Sequence, residues 1–396
     1  MYFVETYCES IKIKYVKTKH QKLPVNLLKR IHYRCNANIE VQGHDYEKSD
    51  LPPRFVRVLP PSKYGGEYFV TLLTGSSNIG KQGAHFIKHL FEVAKVPVKF
   101  ERIELGPDEN EYPKEYLQSV QRNRHAIHVD LQHDPDEKHK QLLLNNDLDL
   151  YVGIIHVNSI EGYKCKYPDV DITILMQNNA GNFSKLEYTP VPGMVETLKI
   201  VQQRYIKRYF NFVFHYAIEH CHEKVTFGHQ AVEFPLSDGM YNKIALEMYN
   251  EIKPNFEFEL IPIHDLVRSI VMKPKHFDII CTTDRYGTFV ASIASAVCGG
   301  ASLFSSTERG DHHAVFKPLQ TRLSVTHSNV LSPYGIVRAC IDLLNYLGEK
   351  DCAQVLYNEL MTTMICRDIR TREFGGSDSG EYVVCDIVNR LKCKHY

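Results

Sequence analysis

The chain has 396 residues, with 47 Lys plus Arg against 47 Asp plus Glu, 43% hydrophobic and 24% charged. That length fills one large core or two moderate ones, and the balanced charge excludes the basic field with which nucleic-acid binders gather phosphates. No run reaches the roughly 18–20 uninterrupted apolar residues of a membrane-spanning helix, so neither nucleic acid nor a membrane is an expected partner. The eleven cysteines, an odd number without a CxxC pair, read as reduced thiols rather than a disulfide framework or structural zinc.

Residues 1–64 read as a leader and linker. Between residues 10 and 39 stand Lys12, Lys14, Lys17, Lys19, Lys22, Lys29, Arg30 and Arg34 and no acidic residue, the pattern of a transit segment. Glu5, Glu9 and the scarcity of serine run against that reading, and a basic tail without targeting function is the alternative. Pro52, Pro53, Pro60, Pro61, Gly65 and Gly66 then give linker composition. From there residues 68–73 read as a buried strand, 80–94 as an amphipathic helix and 98–103 as a second strand. This is the rhythm of a doubly wound α/β sheet. Short β-branched runs at 149–155, 171–175, 224–228 and 277–282 predict further strands, and 194–219, 237–250 and 334–347 predict helices, the last opening after Ser332-Pro333.

Three local patterns offer chemistry. Gly75-Ser-Ser-Asn-Ile-Gly80-Lys81 follows a strand and opens a helix as a phosphate-cradling loop does, but Gln82 stands where a magnesium-binding hydroxyl is required. A strand-to-helix turn or a modified dinucleotide-enzyme loop accounts for it better. His220-Cys221-His222 and His312-His313 carry metal-ligand side chains, yet helical neighbours point about 100° apart, so a surface helix end is the better reading. Tyr205, Tyr209, Phe210, Phe212, Phe214 and Tyr216 lie among Arg204, Lys207 and Arg208. At helical spacing they read as core contacts or a subunit-facing helix rather than a base-stacking surface.

Further motifs come in a telling order: Gln121-Arg-Asn-Arg-His-Ala126, Asp147-Leu-Asp-Leu-Tyr151, Ser159-Ile-Glu-Gly-Tyr163, Tyr188 through Lys199, Lys224-Val-Thr-Phe-Gly-His229, Leu236-Ser-Asp-Gly239, Arg285-Tyr286-Gly287, Gly299-Gly300-Ala301, Ala314-Val-Phe316, and Arg370-Thr371 before Gly375-Gly376. In this order, over essentially everything after the leader, the chain resembles the isocitrate/isopropylmalate dehydrogenase family, and within it the gamma-type subunits of mitochondrial NAD-dependent isocitrate dehydrogenase. Arg122-Asn123-Arg124, and Ala314-Val-Phe316 without a following His-Gly-Thr-Ala-Pro loop, point to the gamma type rather than the catalytic alpha type.

The resemblance implies a large discontinuous α/β domain at 65–150 and 300–396 and a small domain at 151–299 carrying a dimerising clasp. It also implies a catalytic alpha-type partner in a heterodimer or higher hetero-oligomer, met through helices 194–219 and 237–250, and residence in the mitochondrial matrix. It further implies a site, from which this sequence departs. The positions of the family's clamp arginines match Asn145 and Met176, its tyrosine Phe183, its lysine Gln230, and its metal-holding aspartates His264 and Thr288, with Asp265 adjacent and Asp284 and Arg285 nearby. Guanidinium grips carboxylate bidentately, lysine of lowered pKa takes a proton, and carboxylates hold Mg²⁺ or Mn²⁺; the residues present do none of this. On the nucleotide side the turn carries an extra residue and the later loop reads Lys317-Pro-Leu-Gln-Thr-Arg322-Leu323, leaving Gly75, Gly80, Lys81 and Arg322 as weak candidates. The expectation is a regulatory or structural subunit with no intact catalytic or metal site and no cofactor of its own, NAD and Mg²⁺ or Mn²⁺ belonging to the catalytic partner. The alternatives are a free-standing pseudoenzyme binding another ligand through Arg268, Arg285 and Arg322, a dehydrogenase of altered substrate, or a nucleotidase using Gly80-Lys81.

Overall fold

The computed structural model describes residues 63–75, 77–105, 113–129, 144–163, 165–178, 181–319 and 331–394. The expected leader, nearly all of the linker, and Arg322 lie outside them. The strands in chain order are β1 (Tyr68–Gly75), β2 (Val98–Leu105), β3 (His125–Val129), β4 (Val152–Asn158), β5 (Asp171–Gln177), β6 (Gly181–Val191), β7 (Met194–Ile200), β8 (Lys224–His229), β9 (Glu257–Pro262), β10 (Ile279–Thr282), β11 (Ser305–Arg309) and β12 (Ala314–Pro318). The helices are α1 (Asn78–Val93), α2 (Lys114–Asn123), α3 (Gln203–Glu219), α4 (Ser237–Ile252), α5 (Ile263–Met272), α6 (Asp284–Val297), α7 (Pro333–Leu347), α8 (Lys350–Met361) and α9 (Gly380–Lys394). None of the described helices is long and apolar enough to cross a membrane.

One ten-stranded sheet runs β2-β1-β3-β12-β11-β4-β5-β10-β8-β9. Strands β2, β1, β3 and β12 are parallel, as are β5, β10, β8 and β9, and the antiparallel strands β11 and β4 join the two groups. Central strands covered on both faces need continuous apolar runs, and β1 and β3 are buried almost throughout. The sheet's faces are covered by helices whose ends the sequence marks. Ser77 caps α1, its hydroxyl accepting the Gly80 N–H at 3.0 Å, and α7 opens on Pro333 and stops at Gly348 in the left-handed region.

The segment 194–219 departs from expectation. Its first part is not helix: β7 pairs antiparallel with β6 in a separate two-stranded arm, Val191 facing Met194 across the turn Pro192-Gly193. Gly193 has φ 87°, the left-handed value the second central residue of a Pro-Gly turn requires. The hairpin therefore ends before the helix begins. Of the two readings of the aromatic run the structure has the first: Tyr209, Phe210, Phe212 and Phe214 of α3 are core contacts, buried with Phe227, Tyr241 and Phe256. At 149–155 the strand starts later than expected, because Asp149 turns through φ 52° before β4.

Candidate functional site

Strands β5, β10, β8 and β9 share a carboxyl end, where an open α/β sheet presents its ligand-binding loops. Met176 lies on β5, Gln230 follows β8, His264 and Asp265 open α5 after β9, and Asp284 and Arg285 open α6 after β10. Gln230, His264 and Arg285 line one open cleft of about 570 Å³ together with Glu233, Phe234, Ile263, Val267, Tyr286 and Phe289. Thr288 is exposed on α6 beside Phe289. Asn145, Gly75, Gly80 and Lys81 are not among the lining residues. The backbone places Phe183 on β6 in the arm.

Gln230 is held from several sides. Its side-chain carbonyl accepts from the Tyr286 hydroxyl, its amide donates to Glu233, and its backbone N–H donates to Asp238 Oδ2 at 2.9 Å. Asp238 is fully buried, and its Oδ1 lies 2.9 Å from the Lys199 ammonium. A burial this complete tolerates a carboxylate only when it is paired. Lys199, whose ammonium also lies 5.9 Å from the ring of the cleft residue Phe234, is thus committed to a structural ion pair, while Gln230, which lines the cleft, is a neutral amide without a basic electron pair to take a proton.

Met176 faces Gly153 of β4 across the ladder and is wedged between that glycine and Gly287 of α6. A Cβ on Gly287 would lie 2.4 Å from the Met176 Cβ, and one on Gly153 2.7 Å from its Cε. The thioether therefore fills the space that two glycines leave open. Asn145 is buried elsewhere: its neighbours Leu144 and Leu148 pack with Leu73, Tyr116 and Val120, and its carbonyl accepts the Leu150 N–H at 2.7 Å.

The metal positions fare no better. His264 stands 3.8 Å from Asp265, whose carboxylate is held by Arg268 at 2.8 Å, and Glu233 is bonded to Gln230. Mg²⁺ and Mn²⁺ want several oxygens, carboxylates among them. Among the described residues no three His, Cys, Asp or Glu side chains assemble as a metal cluster, and this set does not fit the ion. His222 at the end of α3 pairs with Asp278 at 2.5 Å, the structural role expected of a surface helix end.

On the nucleotide side, Gly80 packs so closely on the turn that a Cβ there would lie 2.6 Å from the Gly75 carbonyl oxygen. Ser77 takes the N–H groups of Gly80 and Lys81 through its hydroxyl and carbonyl, at 3.0 and 3.1 Å. A phosphate cradle presents such amides to its ligand; here the chain satisfies them itself. Lys317 lies 2.9 Å from Glu308. The rest of the expected nucleotide loop, Arg322 included, lies outside the described residues. The Arg122-Asn123-Arg124 motif is structural: Arg122 and Asn123 grip Glu101, and Arg124 ends α2 with φ 66°. The Arg122 hydrogen bond, helped by Ser119, holds the Glu101 carboxyl below its usual range.

Sequence reasoning missed Glu233, Phe234, Phe289 and the Lys199–Asp238 pair. Tyr286 and Asp238 did lie inside motifs that it singled out, which was the available signal.

A family model described as isocitrate/isopropylmalate dehydrogenase matches residues 73–390. Over 338 residues the chain is 30% identical to the mitochondrial NAD isocitrate dehydrogenase subunit 1 of Saccharomyces cerevisiae, covering 84% of this chain and 93% of the yeast one. It is 28% identical to the mitochondrial gamma subunit of Homo sapiens over 354 residues, 87% of this chain and 90% of that one. Among solved structures, isocitrate dehydrogenase from Methylococcus capsulatus shares the fold, with a TM-score of 0.74 and 20% identity over 82% of this chain and 99% of the other. With the model spanning most of its length and subunits 1 and gamma among its relatives, the chain belongs to the isocitrate/isopropylmalate dehydrogenase family.

Proposed function

We propose that this chain is a non-catalytic subunit of a mitochondrial NAD-dependent isocitrate dehydrogenase, pairing in the matrix with a catalytic alpha-type subunit. The observation that carries this reading is the state of the cleft. Where the family resemblance requires a base and a carboxylate clamp, Gln230 is bonded to Tyr286 and Glu233, and Met176 is wedged between Gly153 and Gly287. Loss of proton transfer and charge stabilisation together removes the interactions that distinguish a transition state from a ground state. NAD and the divalent metal belong, in this reading, to the partner.

The division into 65–150 with 300–396 and 151–299 is part of the proposal, and the change of strand sense at β11 and β4 supports it. The apolar arm supports a partner as well, since a lone two-stranded ribbon is marginal in water. Structure outranks effector binding here, because neither clamp position keeps its arginine. The test is isocitrate-dependent NAD⁺ reduction by a co-expressed alpha-type subunit from the same organism, with and without this chain. A rise in rate or a fall in apparent KM, with co-purification, is the expected result. Absence of association together with unchanged kinetics sinks the reading and promotes a free-standing pseudoenzyme whose ligand contacts Arg285 in the cleft.

A further inference from the structure

We propose that Asn178, Glu308 and Lys317 form a clamp, centred on the buried Glu308 carboxylate, that holds the two halves of the sheet in one fixed arrangement. The inference rests on the fold and stands whether or not the chain has a catalytic partner.

The halves meet at the β11–β4 ladder, whose register pairs are Thr307 with Ile154, Glu308 with Gly153 and Arg309 with Val152. So short a ladder is a natural line for hinging, the motion by which two-lobed α/β proteins close on ligands. Glu308 is 2% exposed, and its carboxylate is gripped from both sides of that line. From β12, on its own half, Lys317 Nζ lies 2.9 Å from Oε1, and Ser306 Oγ of β11 lies 3.3 Å from the same oxygen. From the other half, the Asn178 side-chain amide donates to Oε2.

Asn178 follows β5 and reaches β11 by crossing over β4, and Gly153 makes the crossing possible. A Cβ at Gly153 would stand 3.1 Å from Asn178 Nδ2 and 2.7 Å from the Met176 Cε. The same glycine thus admits both the thioether that fills the family's clamp position and the amide that spans the seam. Opening the seam would pull Asn178 away while leaving a buried carboxylate short of a hydrogen bond, which low-dielectric surroundings penalise heavily. Two further contacts reinforce the line: Asp311, just beyond β11, accepts from Tyr151 at 2.9 Å, and Arg338 of α7 donates to Asn158 at the end of β4.

The test is hydrogen exchange of the full chain, comparing Asn178→Ala and Glu308→Gln with the parent. Asn178→Ala removes only the clamp's own contact across the seam and leaves the Glu308–Lys317 pair, the β11–β4 ladder and the two flanking contacts, and so the fold, in place. The expected result is at least a tenfold rise in exchange at amides of β4 and β11 in both variants, with β1, β2, β8 and β9 unchanged. Unchanged protection at the seam in a folded Asn178→Ala chain overturns the proposal. So does a rise spread evenly over all strands, which would make the cluster a general contributor to stability. Should Glu308→Gln fail to fold, the Asn178→Ala result decides alone.

Discussion

Two stretches that adjoin in sequence, β7 and α3, carry comparable apolar content and meet opposite fates. In β7, Val195 and Leu198 stay 66% and 52% exposed; in α3, Tyr209, Phe210 and Phe214 are at 0%. The difference lies in what stands across from each. Helix α3 packs on β5, β8, β9 and β10, where Phe227 and Phe258 meet Phe210 edge to face and the Tyr209 hydroxyl donates to the Leu175 carbonyl at 2.8 Å. The ribbon of β6 and β7 meets the rest of the chain where β6 approaches α6 and Lys199 pairs with Asp238, and nothing among the described residues covers Val195 and Leu198 to that degree. The aromatic run, which reads from sequence as core contacts or a subunit-facing helix, is satisfied as core, and the exposed apolar side chains of the arm are what is left needing cover.

The largest expected effect breaks the satisfied side of that contrast. Phe210→Ala leaves a hole beneath Tyr209, Phe214, Phe227 and Phe258 and should cost about 3–5 kcal/mol of stability. Chemical denaturation measures it. The folded fraction should still associate with a partner as the parent does, because Phe210 lies inside the core. A variant that keeps its stability but loses association would return the interface to the helix.

A smaller effect uses pH, which should act on the core and leave the arm alone. Burial holds His125 neutral, with its pKa lowered to about 3, assisted by Arg124. Both ring nitrogens lack a hydrogen-bond partner among the described residues, and the ring meets Tyr346 edge to face. The unfolded imidazole binds a proton near pH 6.5 and the folded one does not, so stability rises with pH between about 3 and 6.5 and falls on acidification through that window, by about 1.4 kcal/mol per pH unit at most. His125→Phe should remove one proton's worth of that slope. The comparison must be between variant and parent, because burial pushes the Asp342 and Glu373 carboxyls up, and they oppose the trend. An unchanged slope would mean that His125 is protonated in the fold.

The same contrast shows which features were legible. Strands β1, β5 and β8 announce themselves as apolar β-branched runs, and α7 by Ser332-Pro333, because local composition and cap chemistry agree with the tertiary outcome. The arm was hidden because the apolar pattern of 194–200 continues without a break into a true helix. Pro192-Gly193 was the signal that should have outweighed it. At the site, Met176, Gln230 and His264 were reachable only through the family resemblance, since a lone Met, Gln or His carries no mark of function. The Gln230–Tyr286 bond and the Lys199–Asp238 pair were beyond reach, because they exist only after β7, β8, α4 and α6 have been brought together by the sheet order.

The smallest effect on stability is expected where the arm is changed, and it makes the sharpest test of the comparison. Val195→Glu with Leu198→Glu places two charges on side chains that already face water, so the denaturation midpoint should move by less than about 0.5 kcal/mol. The arm's root should hold, because Lys199 remains anchored to buried Asp238. Association is another matter. Burying two carboxylates against an apolar partner surface is strongly unfavourable, so co-purification with a catalytic alpha-type subunit should fall at least tenfold. A drop in stability would show that the arm's apolar face packs on its own chain. Retained stability and retained association would move the interface to Val232 and Leu236, which are exposed beside the cleft on the approach to α4.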